Sequence, residues 1–396
     1  MSPAIEVRAT PEQPLGMTPA AFLRDYWQKR PLLIRGAFAD WTVPIAPEDL
    51  AGLACEEAAL SRLILRDAKK DRWTVRSGPF DENDFAKLPR THWTLLVQDV
   101  DKWDADVAGL IERFDFLPRW RVDDVMISYA VDGGGVGAHV DQYDVFLVQG
   151  LGQRHWHISD DPDAPTAFRD DVELKLLAQF KPTHDFVLEP GDVLYLPPGV
   201  PHDGVAVGDC MTLSVGMRAP AVSELLTDLV DTVAEPLTED DRYADPDLAV
   251  PADPHEIDAA AFARARSALA ALRDLDDAAL DAWFGRYITR YRSAQTPQPP
   301  ATPVTAAQLD AAIAAGSGVA RYPWARTAWV HDGERATLYA AGHAYTSSVA
   351  FAKLVCERRE IDTAELAPLD ARDRAALLAL VNDGNHIVTK PRRKRR

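Results

Sequence analysis

The stretch GGGVGAHVDQYDVFLVQGLGQRHWHIS (residues 133–159) sets a glycine run, three imidazoles, two carboxylates and an arginine close together. Its conformation decides which of His139, Asp141, Asp144, Arg154, His155 and His157 can meet. GGGVG does not fit the GxGxxG pattern at a strand–helix junction, and the segment after it is β in texture, so it is not a phosphate cradle. Glycines at this density make a tight, close-packed turn that delivers the next segment into the fold. His139 and Asp141 are two apart, so on a strand they project from one face. An imidazole and a carboxylate placed this way can fill two adjacent metal positions.

The flanking sequence from about 121 to 218 is β-rich: MISYAV, DVFLVQG, RHWHIS, DFVLEPGDVLYLPPG and CMTLSVGMR are short apolar runs punctuated by Gly, Pro and Asp. That spacing predicts a sandwich or small barrel. Within it, Gly191-Asp192 makes a turn and Pro197-Pro198-Gly199 a stiff bend, which puts His202 at the start of the next strand. The 61 positions from Asp141 to His202 leave room for four or five short strands, enough to wrap the barrel and close a site. Two histidines and one carboxylate with open positions are the donor set of non-haem iron(II) oxygenases. HxD alone is common by chance; HxD with a distant PPGxPH in an all-β region is far more specific.

Strand parity sorts the other polar residues. If Arg154 points inward then Trp156 does too, and His155 and His157 face the other way; the converse would let an inward HxH bind metal by itself. Trp156 is apolar and belongs inside. Arg154 is then a buried cation, tolerable only against an anion, and its planar fork suits a carboxylate. The interior is expected to hold a metal at one end and a carboxylate-bearing molecule at Arg154.

Outside the β region the texture is helical. Thr18 and Pro19 are a good N-cap and N1 pair for a helix over 19–29; Pro31 stops it, and LLIRGAF reads as a short buried strand. Helical, acidic segments are expected around 48–60 and 103–113. SELLTDLVDTVAEPL (223–237) and residues 259–291 have helical periodicity, joined by an acidic loop. The stripe Phe262, Ala265, Leu269, Leu272 suits either a partner helix at a dimer interface or an ordinary internal core. SAQTPQPPATP (293–303) is a linker. After it come a helix at 305–315, a hairpin of strands 326–331 and 335–340, and helices near 347–357 and 370–382. That content fits a winged-helix module; it lacks a basic recognition face, so no direct DNA binding is expected and protein contact is the better reading.

The net charge of −18 over 396 residues argues against a general nucleic-acid binder. The charge is uneven: residues 223–284 carry sixteen Asp or Glu against four Arg, whereas KPRRKRR (390–396) has six cations in seven residues. Such an end can dock on RNA or a ribosomal surface, though tails of this kind are ordinarily just solvated. Cys55, Cys210 and Cys356 are odd in number, far apart and form no CxxC, which indicates reduced thiols. The first residues lack a signal peptide's cationic start and apolar core, and no run approaches the roughly 18 apolar residues that span a bilayer. The chain reads as soluble and cytoplasmic.

Three motifs, FLRDYWQKRPLLIRGAF, DDVMISYAVDGGGVGAHVDQYDVFLVQGLGQRHW and EPGDVLYLPPGVPHDG, resemble the JmjC-type cupin dioxygenases dependent on Fe(II) and 2-oxoglutarate, specifically the ribosomal oxygenases. The resemblance spans roughly 17–218; beyond 220 it is one of architecture. It implies an α+β multidomain chain: a double-stranded β-helix (jelly-roll, cupin/JmjC) catalytic domain over 1–219, a helical region over 220–292 that makes a homodimer, and a winged-helix-like module over 304–389, to which the composition adds the 293–303 linker and the basic tail 390–396. It implies Fe(II) on His139, Asp141 and His202. Arg154 matches the family's basic residue for the distal carboxylate of 2-oxoglutarate, Ser128 matches a position that hydrogen-bonds this cosubstrate, and Ser214 lines the same pocket. With three protein ligands, 2-oxoglutarate takes two further sites and O2 the last. Arginine rather than lysine at 154 resembles the bacterial branch, whose members hydroxylate an arginyl side chain of large-subunit ribosomal protein sixteen and release succinate and CO2. An arginyl substrate needs acidic or aromatic partners at the barrel mouth, and Asp132, Tyr143 and Asp144 lie in the right segments. The same chemistry on a histidyl residue, another protein or a small molecule is the alternative. A non-catalytic cupin binding module is the other, disfavoured because a dead site has no need of a buried cation. The acidic stretch 238–258 and the KPRRKRR end have no place in the family plan.

Overall fold

The computed structural model describes residues 4–39, 41–251, 253–290 and 295–391. They fall into two units, Met1–Ala219 and Pro220–Arg396. Among the described residues no helix is long and apolar enough to cross a membrane.

The first unit is built on one sheet, whose strands are β1 (Glu6–Arg8), β2 (Leu32–Arg35), β3 (Ser61–Asp67), β4 (Arg72–Ser77), β5 (Trp93–Val97), β6 (Val122–Ala130), β7 (Val145–Ile158), β8 (His184–Leu188), β9 (Val193–Leu196) and β10 (His202–Met217). Their order is β1-β2-β9-β7-β10-β6-β5-β3-β4, with β8 beside β7. The two long strands, β7 and β10, pair antiparallel along their length, with the register shifting between Val207 and Met211. Such a shift bends a sheet and raises its twist. Before it β7 also meets β8, and beyond it β10 also meets β6. The result is the jelly-roll expected from the spacing of the β runs, with three strands rather than four or five between Asp141 and His202. The difference is the long connection between β7 and β8. It folds on itself through a Phe168–Leu177 bridge and onto the site through the Leu177 N–H to Ala138 O bond of 2.8 Å.

An aromatic core sits behind the sheet. Phe146 is wholly buried, its ring 5.8 Å from Phe22, 4.8 Å from Phe114 and 4.9 Å from Tyr195. Truncating such a residue to alanine costs about 3–5 kcal/mol. Phe22 comes from the helix Pro19–Asp25, which Thr18 caps by accepting from the Ala21 N–H. The helix is shorter than the expected 19–29. Gln28 turns to φ +56° so that its N–H donates to the Tyr195 hydroxyl and its Nε2 to Asp144, at 2.7 and 2.9 Å; these tertiary bonds win over helix continuation before Pro31 is reached. The 48–60 segment is helical only over Pro47–Leu53. The segment near 103–113 is broken into Val100–Trp103, Ala105–Gly109 and a tighter turn Leu110–Phe114, with Asp104 capping the second piece.

The second unit opens with the helix Val222–Ala234. The periodic stretch 259–291 is three pieces, Ala259–Ala268, Ala270–Arg273 and Asp277–Thr289, because Asp276 takes the Ala279 N–H and starts a new helix; Tyr291 lies outside the described residues. Beyond the linker, helix Ala306–Ala314 precedes a sheet of Thr327–Asp332, Arg335–Ala340 and His343–Ser348. The last of these strands departs from the expected hairpin, since HAYTSS carries too few apolar residues to show alternation. Helices Val349–Glu357 and Ala371–Asn382 complete a core that includes Leu309, Leu338, Phe351 and Leu377. Of the KPRRKRR segment, 392–396 lie outside the described residues.

Candidate metal centre

The ligand candidates come from two elements stitched together by backbone. His139 is not on a regular strand: it lies in the loop between β6 and β7 and forms an isolated bridge with His202, the first residue of β10. The two exchange both N–H to O bonds, each 3.0 Å. Gly199 N–H donates to Asp141 O at 2.7 Å, so the PPG bend holds the carboxylate's backbone as well. The glycine run serves by close approach: a Cβ on Gly134 would stand 2.3 Å from Trp93 O. Gly137 adopts φ +78°, and a Cβ there would meet Leu176 Cδ2 at 2.8 Å and Trp73 Cη2 at 3.1 Å.

His139, Asp141 and His202 bring one ligand atom each to within 4.8 Å of one another. Asp141 Oδ1 is 3.9 Å from His139 Nε2 and Oδ2 is 3.7 Å from His202 Nε2. These separations are too long for hydrogen bonds. They suit atoms that share an ion, since two ligands each about 2.1 Å from one metal lie no more than about 4.2 Å apart. Each histidine's other nitrogen is engaged: His139 Nδ1–H donates to Gly137 O at 2.8 Å and His202 Nδ1–H to Val200 O at 2.9 Å. Carbonyls only accept, so both rings are fixed in the tautomer that leaves Nε2 free for a metal. Burial, with His139 and Arg154 nearby, holds His202 well below the ordinary histidine pKa, hence neutral as a ligand must be. Burial pushes the Asp141 carboxyl up, against the pull of His139 and a hydrogen bond from Tyr143; a cation beside it would relieve that cost. The donor set fits a metal with an open side toward the cavity.

That cavity has a volume of about 470 Å³ and is lined by the triad together with Ser128, Arg154, Trp156, Thr212, Ser214, Tyr143 and Asp124. Arg154 is 3 % exposed. Its Nη1 donates to Ser128 Oγ at 3.0 Å and Thr212 Oγ1 at 3.5 Å, and its Nη2 to Gly204 O at 3.1 Å. Nε has no partner, and no described carboxylate forms an ion pair with the guanidinium. Burial lowers its pKa, the signature of a cation short of an anion. Trp156 shares its inward face, with the guanidinium 5.1 Å from the indole ring. His155 and His157 point to the opposite face, their rings 4.2 Å apart, with His155 Nε2 3.7 Å from Asp185.

Two residues expected at the substrate mouth are placed elsewhere. Asp132 is exposed and accepts from the N–H of Gly208 on β10 at 3.0 Å, a bond across 76 positions that ties the turn after β6 to that strand. Asp144 is fully buried in the aromatic core, accepting from the Tyr195 hydroxyl at 2.6 Å and Gln28 Nε2 at 2.9 Å beside Arg121. Tyr143 does line the cavity. So does Asp124 on β6, which sequence reasoning passes over as one more acidic residue at the start of the DDVMISYAV run. Burial, reinforced by Asp99, Asp123 and Asp101, pushes its carboxyl up to about 7. Among the cavity's walls it is a carboxylate not in the triad, which is what a cationic guest would neutralise.

A JmjC domain model matches residues 109–225, a ROXA-like winged helix model 270–385, and an AraC-like ligand binding domain model 183–301. The chain is 37% identical over 311 residues to the ribosomal protein uL16 3-hydroxylase of Escherichia coli (strain K12), covering 78% of this chain and 82% of that protein. The chain belongs to the JmjC-type ribosomal oxygenase family. The probable ribosomal oxygenase of Haemophilus influenzae is 42% identical over 214 residues, 54% of this chain and 52% of that one. Among solved ribosomal oxygenases, an X-ray structure of Escherichia coli ycfD superimposes with a TM-score of 0.79 at 34% identity, covering 95% of this chain and 99% of that one. YcfD in complex with cobalt and 2-oxoglutarate gives a TM-score of 0.75 at 34% identity, covering 94% and 99%.

Proposed function

We propose that this ribosomal oxygenase is an Fe(II)- and 2-oxoglutarate-dependent hydroxylase of an arginyl side chain in a large-subunit ribosomal protein. His139, Asp141 and His202 hold the iron; Arg154, with Ser128 beside it and Ser214 on the same wall, holds the distal carboxylate of 2-oxoglutarate. When bound, iron with 2-oxoglutarate and O2 supplies the oxidising power that places one oxygen atom in a C–H bond, while the cosubstrate leaves as succinate and CO2. The chain's share is positioning and exclusion of water. Arg154 and Trp156 form a closed end for the cosubstrate. Leu176, from the long connection, packs at Gly137 beside His139 and screens the metal side. Tyr143 donates to Asp141 and so holds that carboxylate's orientation. The observation that carries this reading is Arg154: a buried cation met only by neutral acceptors, in the same cavity as the two-histidine, one-carboxylate cluster.

Asp124 favours an arginyl over a histidyl substrate: a guanidinium is always charged, and Lys102 offsets this half-buried carboxylate less than Asp99, Asp123 and Asp101 burden it. The test is turnover on ribosomal protein uL16 or a peptide from it: succinate forms and the peptide gains one oxygen atom only when Fe(II) and 2-oxoglutarate are both present. Uncoupled 2-oxoglutarate consumption with every ribosomal protein tried would leave the cofactor assignment and remove the substrate one.

The helical region is the natural homodimer element. Val222, Leu226 and Val230 recur every fourth residue on one helix and are 70, 58 and 47 % exposed; Phe262 and Leu269, from the stripe that left two options open, are 52 and 64 % exposed. A face of this kind is covered by a second copy, and Leu226→Asp shifts the sedimenting species to a monomer. A ribosomal substrate sets the reaction in the cytoplasm, and the winged-helix-like module serves protein rather than DNA contact.

A further inference from the structure

A polar rung across the sheet holds Arg154. Ser128, Thr212 and Gln149 stand opposite one another on β6, β10 and β7, so their side chains share a face. All three are buried. Donor and acceptor counting fixes each direction. Gln149 Nε2 donates to Leu151 O at 2.9 Å and Gly152 O at 3.3 Å. Its Oε1 is therefore turned to β10, where it accepts from the Thr212 hydroxyl at 3.0 Å. That bond uses the only proton the hydroxyl has, so Thr212 Oγ1 can offer Arg154 Nη1, 3.5 Å away, nothing but a lone pair. Ser128 is set the same way: it donates to Thr212 O at 3.4 Å and accepts from Nη1 at 3.0 Å. Cys210, near Gln149 and Arg154, has its thiol pushed up by burial and stays uncharged. Every direct partner of the guanidinium is thus a neutral acceptor with a fixed orientation. A carboxylate in any of these places would orient the fork equally well but cancel its charge.

We infer that Thr212 and Gln149 are positioning residues for Arg154, forming with Ser128 a neutral relay that aims the guanidinium while leaving its charge for the cosubstrate. This rests on Arg154 being the 2-oxoglutarate anchor. The relay explains why a glutamine is buried where the long strand passes into its bend: the amide has both a donor to satisfy the bend's carbonyls and an acceptor to turn the threonine.

Direct binding of 2-oxoglutarate to the Mn(II)-loaded protein, by calorimetry, tests it alongside KM and kcat in the Fe(II) enzyme. Thr212→Val and Gln149→Met are each expected to weaken 2-oxoglutarate binding about tenfold, the size of one hydrogen bond to a charged group. KM for 2-oxoglutarate rises in step, while kcat at saturation and Mn(II) affinity stay put. Thr212→Ser, which keeps the hydroxyl, restores the native value. Unchanged 2-oxoglutarate binding in Thr212→Val overturns the relay, and so does a Thr212→Ser variant as impaired as Thr212→Val, which would make the effect one of packing. Should Gln149→Met fail to fold, the near-isosteric Thr212→Val decides. Arg154→Met is the control for the underlying reading: if it too binds 2-oxoglutarate normally, the anchor assignment itself falls; if it alone loses binding, only the relay does.

Discussion

Replacing Arg154 by methionine should weaken cosubstrate binding and yet not weaken the free protein. Methionine matches the arginine stem in length and is tolerant of irregular space. In the free protein the guanidinium is 3 % exposed, rests on the Trp156 ring and donates to three neutral oxygens, with Nε unpartnered. Removing an uncompensated buried charge relieves a desolvation cost of several kcal/mol, set against hydrogen bonds lost at Ser128, Thr212 and Gly204; the net is a free protein as stable as the parent or more so by roughly 1–2 kcal/mol. With 2-oxoglutarate the sign reverses. Losing one member of a buried charge pair costs about 3–5 kcal/mol, so affinity falls roughly a hundredfold to a few thousandfold. At a concentration about a hundred times the parent's Kd, the ligand stabilises the parent by about 2.7 kcal/mol and the variant hardly at all. Thermal melts of both proteins with Mn(II), with and without 2-oxoglutarate, read the two effects together. A variant whose melting point still rises with 2-oxoglutarate as the parent's does would refute the anchor. A variant that is strongly destabilised without ligand would show that Arg154 is paired in a way the neutral shell does not provide.

The same geometry sets three further outcomes. Asp141→Ala should lower metal affinity by more than about 100-fold, the upper range for changes outside the coordination sphere, as read by metal titration with the fold intact by circular dichroism. Gly137→Ala combines a φ of +78° with a Cβ 2.8 Å from Leu176 and shifts the carbonyl that fixes His139; it should cost about 1–3 kcal/mol in stability and about 10–100-fold in metal affinity, measured by denaturation and titration. Asp124 has a carboxyl raised to about 7 in the folded chain, so its contribution to stability is full below the unfolded carboxylate range near 4 and is lost as pH rises through about 7; Asp124→Asn should flatten stability across that window. A cationic substrate reverses the preference, so substrate KM should fall as pH rises through about 7 in the parent and not in Asp124→Asn.

Much of the site was legible because its residues sit at fixed spacings. HxD and PPGxPH mark ligands that any barrel of this strand order brings together, although a loop and a backbone bridge, not strand parity, put His139 and Asp141 on one side. Parity did place Arg154 inward, because Trp156 two positions later had to be buried. What was not legible depends on partners distant in sequence. Asp144 looks like a mouth residue until Tyr195 and Gln28, 51 and 116 positions away, claim it. Asp124 looks like one more acidic residue before β6 turns it into the cavity with three carboxylates nearby. Thr212 lies outside the three motifs, and Gln149 lies inside one with nothing to mark it; only the register of three strands puts them in one row. The strand count failed because residues between β7 and β8 fold as a long connection over the metal side, and an apolar-run count does not see that.

The most direct test of the account is the mass of the ribosomal proteins themselves. Large-subunit proteins from cells that make this enzyme should include one that carries a single added oxygen, located by fragmentation on an arginyl side chain. That oxygen should vanish when His139, Asp141 or His202 is replaced. Identical masses with and without the enzyme across all ribosomal proteins would contradict the account.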